Sequence, residues 1–162
     1  MSIPVRAPLA GRIVPLTEVP DPVFAGMLVG PGLAIDPTRD DNHQEVTVTA
    51  PVDGRIAKLH PHAFVVAADD ARCVLVHLGL DTVTLAGKGF SLHATPDQEV
   101  HAGDPIVTWS PASIEAGGLN PIVPIIALQA EASALSPTAG GRVVENRSEE
   151  HTSELQSHEL IS

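Results

Sequence analysis

The stretch Ala7-Pro8-Leu9-Ala10-Gly11-Arg12-Ile13-Val14 returns as Ala50-Pro51-Val52-Asp53-Gly54-Arg55-Ile56-Ala57, and more faintly as Ser136-Pro137-Thr138-Ala139-Gly140-Gly141-Arg142-Val143. Each copy reads as a Pro-containing turn, a glycine able to take positive φ, and the entry into a strand. A recurring turn-and-strand unit implies an internally duplicated architecture, and such repeats report construction rather than chemistry. Around them, fifteen Pro and thirteen Gly separate short apolar runs, which argues for many short strands and little helix. With no Tyr, three Phe and one Trp, the core must be filled by Val, Ile, Leu and Ala. The fold class that follows is all-β: an antiparallel β-sandwich or barrel with internal duplication and very little helix.

Strands are predicted near residues 12–16, 27–35, 45–49, 54–59, 63–67, 73–77, 105–109 and 121–128. Residues 110–117 predict one short helix, with Ser110 capping, Pro111 at the first helical position and Gly117 near the end. Residues 99–107 read as a turn feeding a strand. The chain of 162 residues fits one domain, placed at residues 1–146. From Arg147 the composition changes: Arg147-Ser148-Glu149-Glu150-His151-Thr152-Ser153-Glu154-Leu155-Gln156-Ser157-His158 resembles a reading-frame translation of a sequencing-library adapter. Residues 147–162 are therefore read as a non-native or disordered tail, and His151 and His158 as carrying no function.

A formal net charge of −11 with nine basic residues argues against nucleic acid and for basic surfaces on other proteins. The acidic character survives removal of the tail, which holds one Arg and four Glu. Cys73 is the sole cysteine, so an internal disulfide and a Cys-x-x-Cys metal site are both excluded. The opening residues lack a signal-peptide pattern and no run of eighteen apolar residues occurs, so a soluble, cytoplasmic protein without membrane insertion is expected.

Chemistry concentrates at two histidines fifteen residues apart, His62 in His62-Ala63-Phe64 and His77 in Val76-His77-Leu78-Gly79-Leu80-Asp81-Thr82-Val83. Each borders an apolar β-type run, so a sheet can set the imidazoles side by side, which suits phosphate or metal. Period-two alternation points Cys73, Leu75 and His77 to one side of their strand and Val74 and Val76 to the other. Gly79 permits close backbone approach, as a phosphoryl group or another protein would need. Asp21 before Pro22, and Asp81 before Thr82, are also ordinary turn residues. Cys73, mid-strand among apolar residues, reads as a buried inert thiol.

These strings resemble the glucose-type EIIA proteins of the bacterial phosphoenolpyruvate-dependent sugar phosphotransferase system. The resemblance is carried by Ala7–Gly11, by Val19-Pro20-Asp21-Pro22-Val23-Phe24-Ala25, by Val29–Ile35, Ala50–Gly54 and His62–Phe64, and above all by His77-Leu78-Gly79-Leu80-Asp81-Thr82-Val83. It extends, in order, over nearly all of residues 7–130. It implies that Nε2 of His77 accepts a phosphoryl group from the phosphohistidine of HPr and passes it to a cysteine of EIIB, without a cofactor. His62 would then donate an N–H to the phosphoryl oxygens, and its loss would impair discharge to EIIB more than loading. Asp21 and Asp81 match acids flanking the site, and Val23, Phe24 and Val83 match an exposed apolar docking face. Regulatory target proteins are a further class of partner in such a family.

One departure stands out. The family often carries a threonine two residues before its first histidine, whereas Lys58-Leu59-His60-Pro61-His62 reads as a shorter loop, with His60 as its substitute or as a solvated loop residue. His43, His93 and His101 read as surface residues. A zinc metallopeptidase of related duplicated architecture would need a third ligand, and two histidines are too few for stable zinc without a partner's carboxylate, so no metal is expected in the isolated protein. A biotinyl or lipoyl carrier would need a lysine on an exposed hairpin, usually beside a methionine, which neither Lys58 nor Lys88 has. A non-catalytic regulatory module is a third alternative.

Overall fold

The computed structural model describes residues 3–26, 32–39, 45–69, 72–128, 143–144 and 159–161. The strands are β1 (Ile3–Pro4), β2 (Gly11–Pro15), β3 (Gly32–Pro37), β4 (Val46–Thr49), β5 (Gly54–His60), β6 (Ala63–Ala67) and β7 (Cys73–His77), followed by β8 (Ser91–Leu92), β9 (Glu99–Val100), β10 (Pro105–Trp109), β11 (Val123–Leu128), β12 (Val143–Val144) and β13 (Glu159–Ile161). An eight-stranded sheet has the order β12-β2-β3-β11-β7-β6-β5-β9, a three-stranded sheet the order β4-β10-β8, and β1 pairs with β13. Every pairing is antiparallel. Among the described residues, helix is confined to α1 (Pro22–Ala25), α2 (Pro111–Ala116) and two short 3-10 turns at Leu16–Glu18 and Thr82–Leu85. The expected β3 start at residues 27–31, the third repeat's turn at residues 136–142, His43, and most of the 147–162 tail lie outside the described residues.

Alternation decides which residues fill which core. Ile13, Leu33, Ile35, Ile56, Phe64, Val66, Val74, Val76 and Ile125 of the large sheet meet Val48, Ile106, Val107 and Trp109 of the small sheet in one core. Their neighbours Val14, Ala34 and Ile126 face the other way, into a second core closed by Leu16, Val19, Phe24, Leu80 and Ile122. Central strands β2, β3 and β11 are thus covered on both faces, and each buried Val, Leu or Ile contributes about 1.5–3 kcal/mol of transfer free energy. The helix at 111–116 has the caps its sequence predicts: Ser110 Oγ accepts from Ser113 N at 3.2 Å, and Gly117 follows the last turn. Helix α1 was not legible, because four residues give no periodicity. It exists because Asp21 Oδ1 accepts from Val23 N at 2.9 Å and Pro22 presets the first helical φ.

The duplication is physical. Arg6 N donates to Pro51 O at 2.8 Å and Thr49 N donates to Pro8 O at 2.9 Å, so equivalent positions of the two repeats exchange equivalent bonds. The glycines do not serve the purpose their turn context suggests. Neither Gly11 nor Gly54 has positive φ. A Cβ at Gly11 would stand 2.3 Å from Asp36 O, and one at Gly54 2.2 Å from Ala67 O, so both repeats need glycine for close backbone approach in the sheet.

Candidate functional site

The large sheet brings the two histidines together. His77 ends β7, and the face it shares with Leu75 and Cys73 is the one turned away from the main core, as the buried Val74 and Val76 require. His62 occupies the two-residue turn between β5 and β6, and its carbonyl accepts from Leu78 N at 2.8 Å, which ties that turn to the end of β7. The two rings meet edge to face, with centroids 5.3 Å apart and planes at 72°.

Beyond His77 the chain turns on Gly79, whose φ of +80° favours glycine. A Cβ there would lie 2.7 Å from Thr82 Cγ2 and 3.0 Å from Asn120 O. Gly79 is buried, so its close approach is to Thr82 and Asn120 within the fold and not to a phosphoryl group or a partner surface. Its carbonyl lies 2.7 Å from His77 Nδ1. A carbonyl only accepts, so Nδ1 holds the proton and Nε2 keeps its lone pair. Buried Thr82 holds the turn from inside, donating Oγ1 to Leu78 O at 2.6 Å, and Leu80 N donates to Asn120 O at 2.9 Å. Asn120 supports the site without carrying any motif of its own, so only contact across the fold reveals it.

Both imidazoles have proton affinities below that of a free histidine. For His77 burial is the main cause, and the Gly79 carbonyl, Asp21 and Asp81 oppose it in part. For His62 burial leads, followed by repulsion from His77 and His60. Neutral rings at neutral pH follow for both. Asp21 is half-buried and spends one carboxylate oxygen on capping α1, while Asp81 is exposed, sits at φ +61° and makes no capping bond with its side chain. Each therefore combines turn chemistry with an electrostatic influence on His77.

The apolar residues divide. Val23 and Val83 are exposed, at 43% and 60%. Phe24 is not part of an exposed face: at 9% exposure it belongs to the second core, its ring centroid 5.4 Å from that of His77. The cap at Asp21 sets this, since one step along α1 turns Val23 outward and Phe24 inward. Cys73 is half-buried rather than fully buried, and burial with Asp69 pushes its thiol up, away from the reactive thiolate. The expected short loop before His62 is a strand: β5 continues through His60, which pairs with Ala63.

Among the described residues no group of three or more His, Cys, Asp or Glu could hold a metal ion, and no helix is long and apolar enough to cross a membrane.

Residues 3–133 match the family model described as phosphoenolpyruvate-dependent sugar phosphotransferase system, EIIA 1. The chain is 40% identical over 126 residues to a glucose-specific EIIA component of Oceanobacillus iheyensis, covering 76% of this chain and 73% of that protein. It is 39% identical over 137 residues to the one from Bacillus cereus, covering 83% and 79%. A glucose-specific EIIBCA component of Corynebacterium glutamicum is 40% identical over 126 residues, 76% of this chain, but the match spans only 18% of that longer protein. Among solved structures, glucose permease IIA from Mycoplasma capricolum superposes with a TM-score of 0.70 at 38% identity, over 78% of this chain and 80% of that one. A duplicated antiparallel sandwich presenting two apposed histidines, matched over most of its length by sequence and by structure, places this chain in the glucose-type EIIA family of the phosphoenolpyruvate-dependent sugar phosphotransferase system.

Proposed function

We propose that the chain is a phosphocarrier: His77 takes a phosphoryl group from the phosphohistidine of HPr and gives it to a cysteine of a sugar-specific EIIB domain, in the cytoplasm. The observation that carries this reading is the 2.7 Å bond from His77 Nδ1 to the Gly79 carbonyl. It leaves Nε2 as the nucleophile when the phosphoryl group arrives and as the leaving group when it departs. Its lone pair attacks phosphorus, forming an Nε2–P bond as the N–P bond to HPr breaks, and that Nε2–P bond later breaks, returning its electron pair to Nε2, as the EIIB thiolate attacks and an S–P bond forms.

Phosphoryl transfer asks little covalent work of a protein beyond in-line placement and charge stabilisation. In this reading His62 donates an N–H to a phosphoryl oxygen, which its ring centroid 5.3 Å from that of His77 supports. The exposed Val23 and Val83 supply apolar area for transient docking, and Asp21 and Asp81 supply charge for basic partner residues. A relative named as an EIIBCA component supports an EIIB domain as the onward acceptor.

The test is incubation with phosphoenolpyruvate, enzyme I and HPr. Acid-labile, base-stable phosphate should appear on the wild type and be absent from His77→Ala. His62→Ala should still label yet discharge poorly to EIIB. An unlabelled wild type, or a fully labelled His77→Ala, overturns the reading.

A further inference from the structure

Strand register places a third imidazole at this site. Ala63 on β6 is paired on one side with His77 of β7 and on the other with His60 of β5. Directly paired residues of an antiparallel sheet project to the same face, so His77, Ala63 and His60 form one row. The flanking strands lie roughly 10 Å apart across the middle one. Ala63 contributes only a methyl group to the gap between them, and His62, from the adjoining turn, fills it. Its ring centroid is 5.3 Å from that of His77 and 5.7 Å from that of His60, edge to face with the first and stacked on the second at 27°.

A break in the strand produces this arrangement. In an uninterrupted strand Ile56, Lys58 and His60 would share a face, and Ile56 is in the main core. The register shifts between Ile56 and Lys58, so Leu59 packs toward that core opposite Phe64 and His60 turns to the face of His77. Pro61 then fixes φ between His60 and His62, holding the two rings one turn residue apart. A Cβ at Gly87, in the loop after the 3-10 turn at Thr82–Leu85, would rest 3.4 Å from the Pro61 ring.

We infer that His60 is a positioning residue of the phosphoryl-transfer site: its ring is the stacking surface that holds the His62 imidazole edge-on to His77. The inference rests on the phosphocarrier reading, since it assigns His60 to the step that uses His62. His60 acts through ring area and placement, without touching the reacting atoms.

The test compares wild type with His60→Ala and His60→Phe. The first variant removes the stacking ring and the second restores one without an ionisable nitrogen. His60 is exposed at a strand end, so both variants should fold. Loading from phospho-HPr should stay within about twofold for all three. Discharge to EIIB should slow about tenfold in His60→Ala, less than the roughly hundredfold of a group displaced by about 1 Å because His62 itself remains, and return to within about twofold of wild type in His60→Phe. The ring-proton resonances of His62 should shift in the alanine variant and stay near wild type in the phenylalanine variant. Wild-type discharge by His60→Ala, or no rescue by His60→Phe, overturns the inference while leaving the carrier reading intact. A wild type that takes up no phosphoryl group overturns the carrier reading, and the inference with it.

Discussion

His77 Nδ1 and the Gly79 carbonyl oxygen stand 2.7 Å apart, two residues along the same chain, and this bond determines which imidazole nitrogen is free to react. The bond accompanies the φ of +80° at Gly79, a turn that brings the carbonyl of this residue back to the Nδ1 edge of the ring. Backbone conformation, tautomer and nucleophile are here a single structural fact.

Gly79→Ala should therefore damage stability and chemistry together. The new Cβ meets Thr82 Cγ2 at 2.7 Å and Asn120 O at 3.0 Å in a left-handed backbone, a cost of about 1–3 kcal/mol. Urea unfolding should show a lower midpoint, and labelling from phospho-HPr should slow as the carbonyl leaves Nδ1. Unchanged stability would remove the strain argument.

Gly54→Ala provides the contrast. Its Cβ would stand 2.2 Å from Ala67 O, so β5 and β6 must separate at that end, at a cost of about 1–3 kcal/mol. The site lies at the other end of the same hairpin. The expected result is a lower unfolding midpoint with the His62 and His77 ring titrations where they were, both read on one sample by NMR.

Phe24→Ala tests what keeps His77 neutral. Phe24 packs against the imidazole, and burial is the leading cause of its lowered proton affinity. Removing the ring admits water, so the His77 titration midpoint should rise toward 6.5, with a stability loss on the order of 3 kcal/mol. A midpoint that stays put or falls would assign the shift to something other than burial.

Stability should also fall with acid in a particular window. The affinities of His77 and His62 are lowered in the folded state, so below pH 6.5 the unfolded chain binds protons that the folded chain does not yet bind. Their contribution is complete above that value and is lost as pH falls toward the lowered folded midpoints. Urea midpoints at pH 7.5 and 5.5 should differ less in His77→Gln than in wild type. An equal or larger difference in the variant would contradict the sign.

Strand positions were legible wherever β-branched residues alternated with others. The runs at 63–67, 73–77 and 105–109 have the bounds their sequences predict, because every second residue had one destination. The parity of Cys73-Val74-Leu75-Val76-His77 was enough to put His77 on the face away from the main core. Sequence reading failed where an element was too short to have a period, as at Pro22–Ala25, and there the resemblance alone put Phe24 on an exposed face, which its burial corrects. It also read the repeat glycines as able to take positive φ, when the constraint at Gly11 and Gly54 comes from a neighbouring strand's carbonyl.

The sequence by itself determined the strand content, the duplicated turns, the parity of His77 and, through its motifs, the family. Those depend on local periodicity and on residue types that are read within a few positions. Tertiary structure decided the partners of each group: Asn120 under Gly79, Phe24 against His77, and His60 on the site's face. The last depends on a register shift between Ile56 and Lys58, and a one-residue shift reverses every side chain beyond it. Such a shift is set by the pairing of whole strands across the sheet, so no local pattern in residues 54–60 announces it.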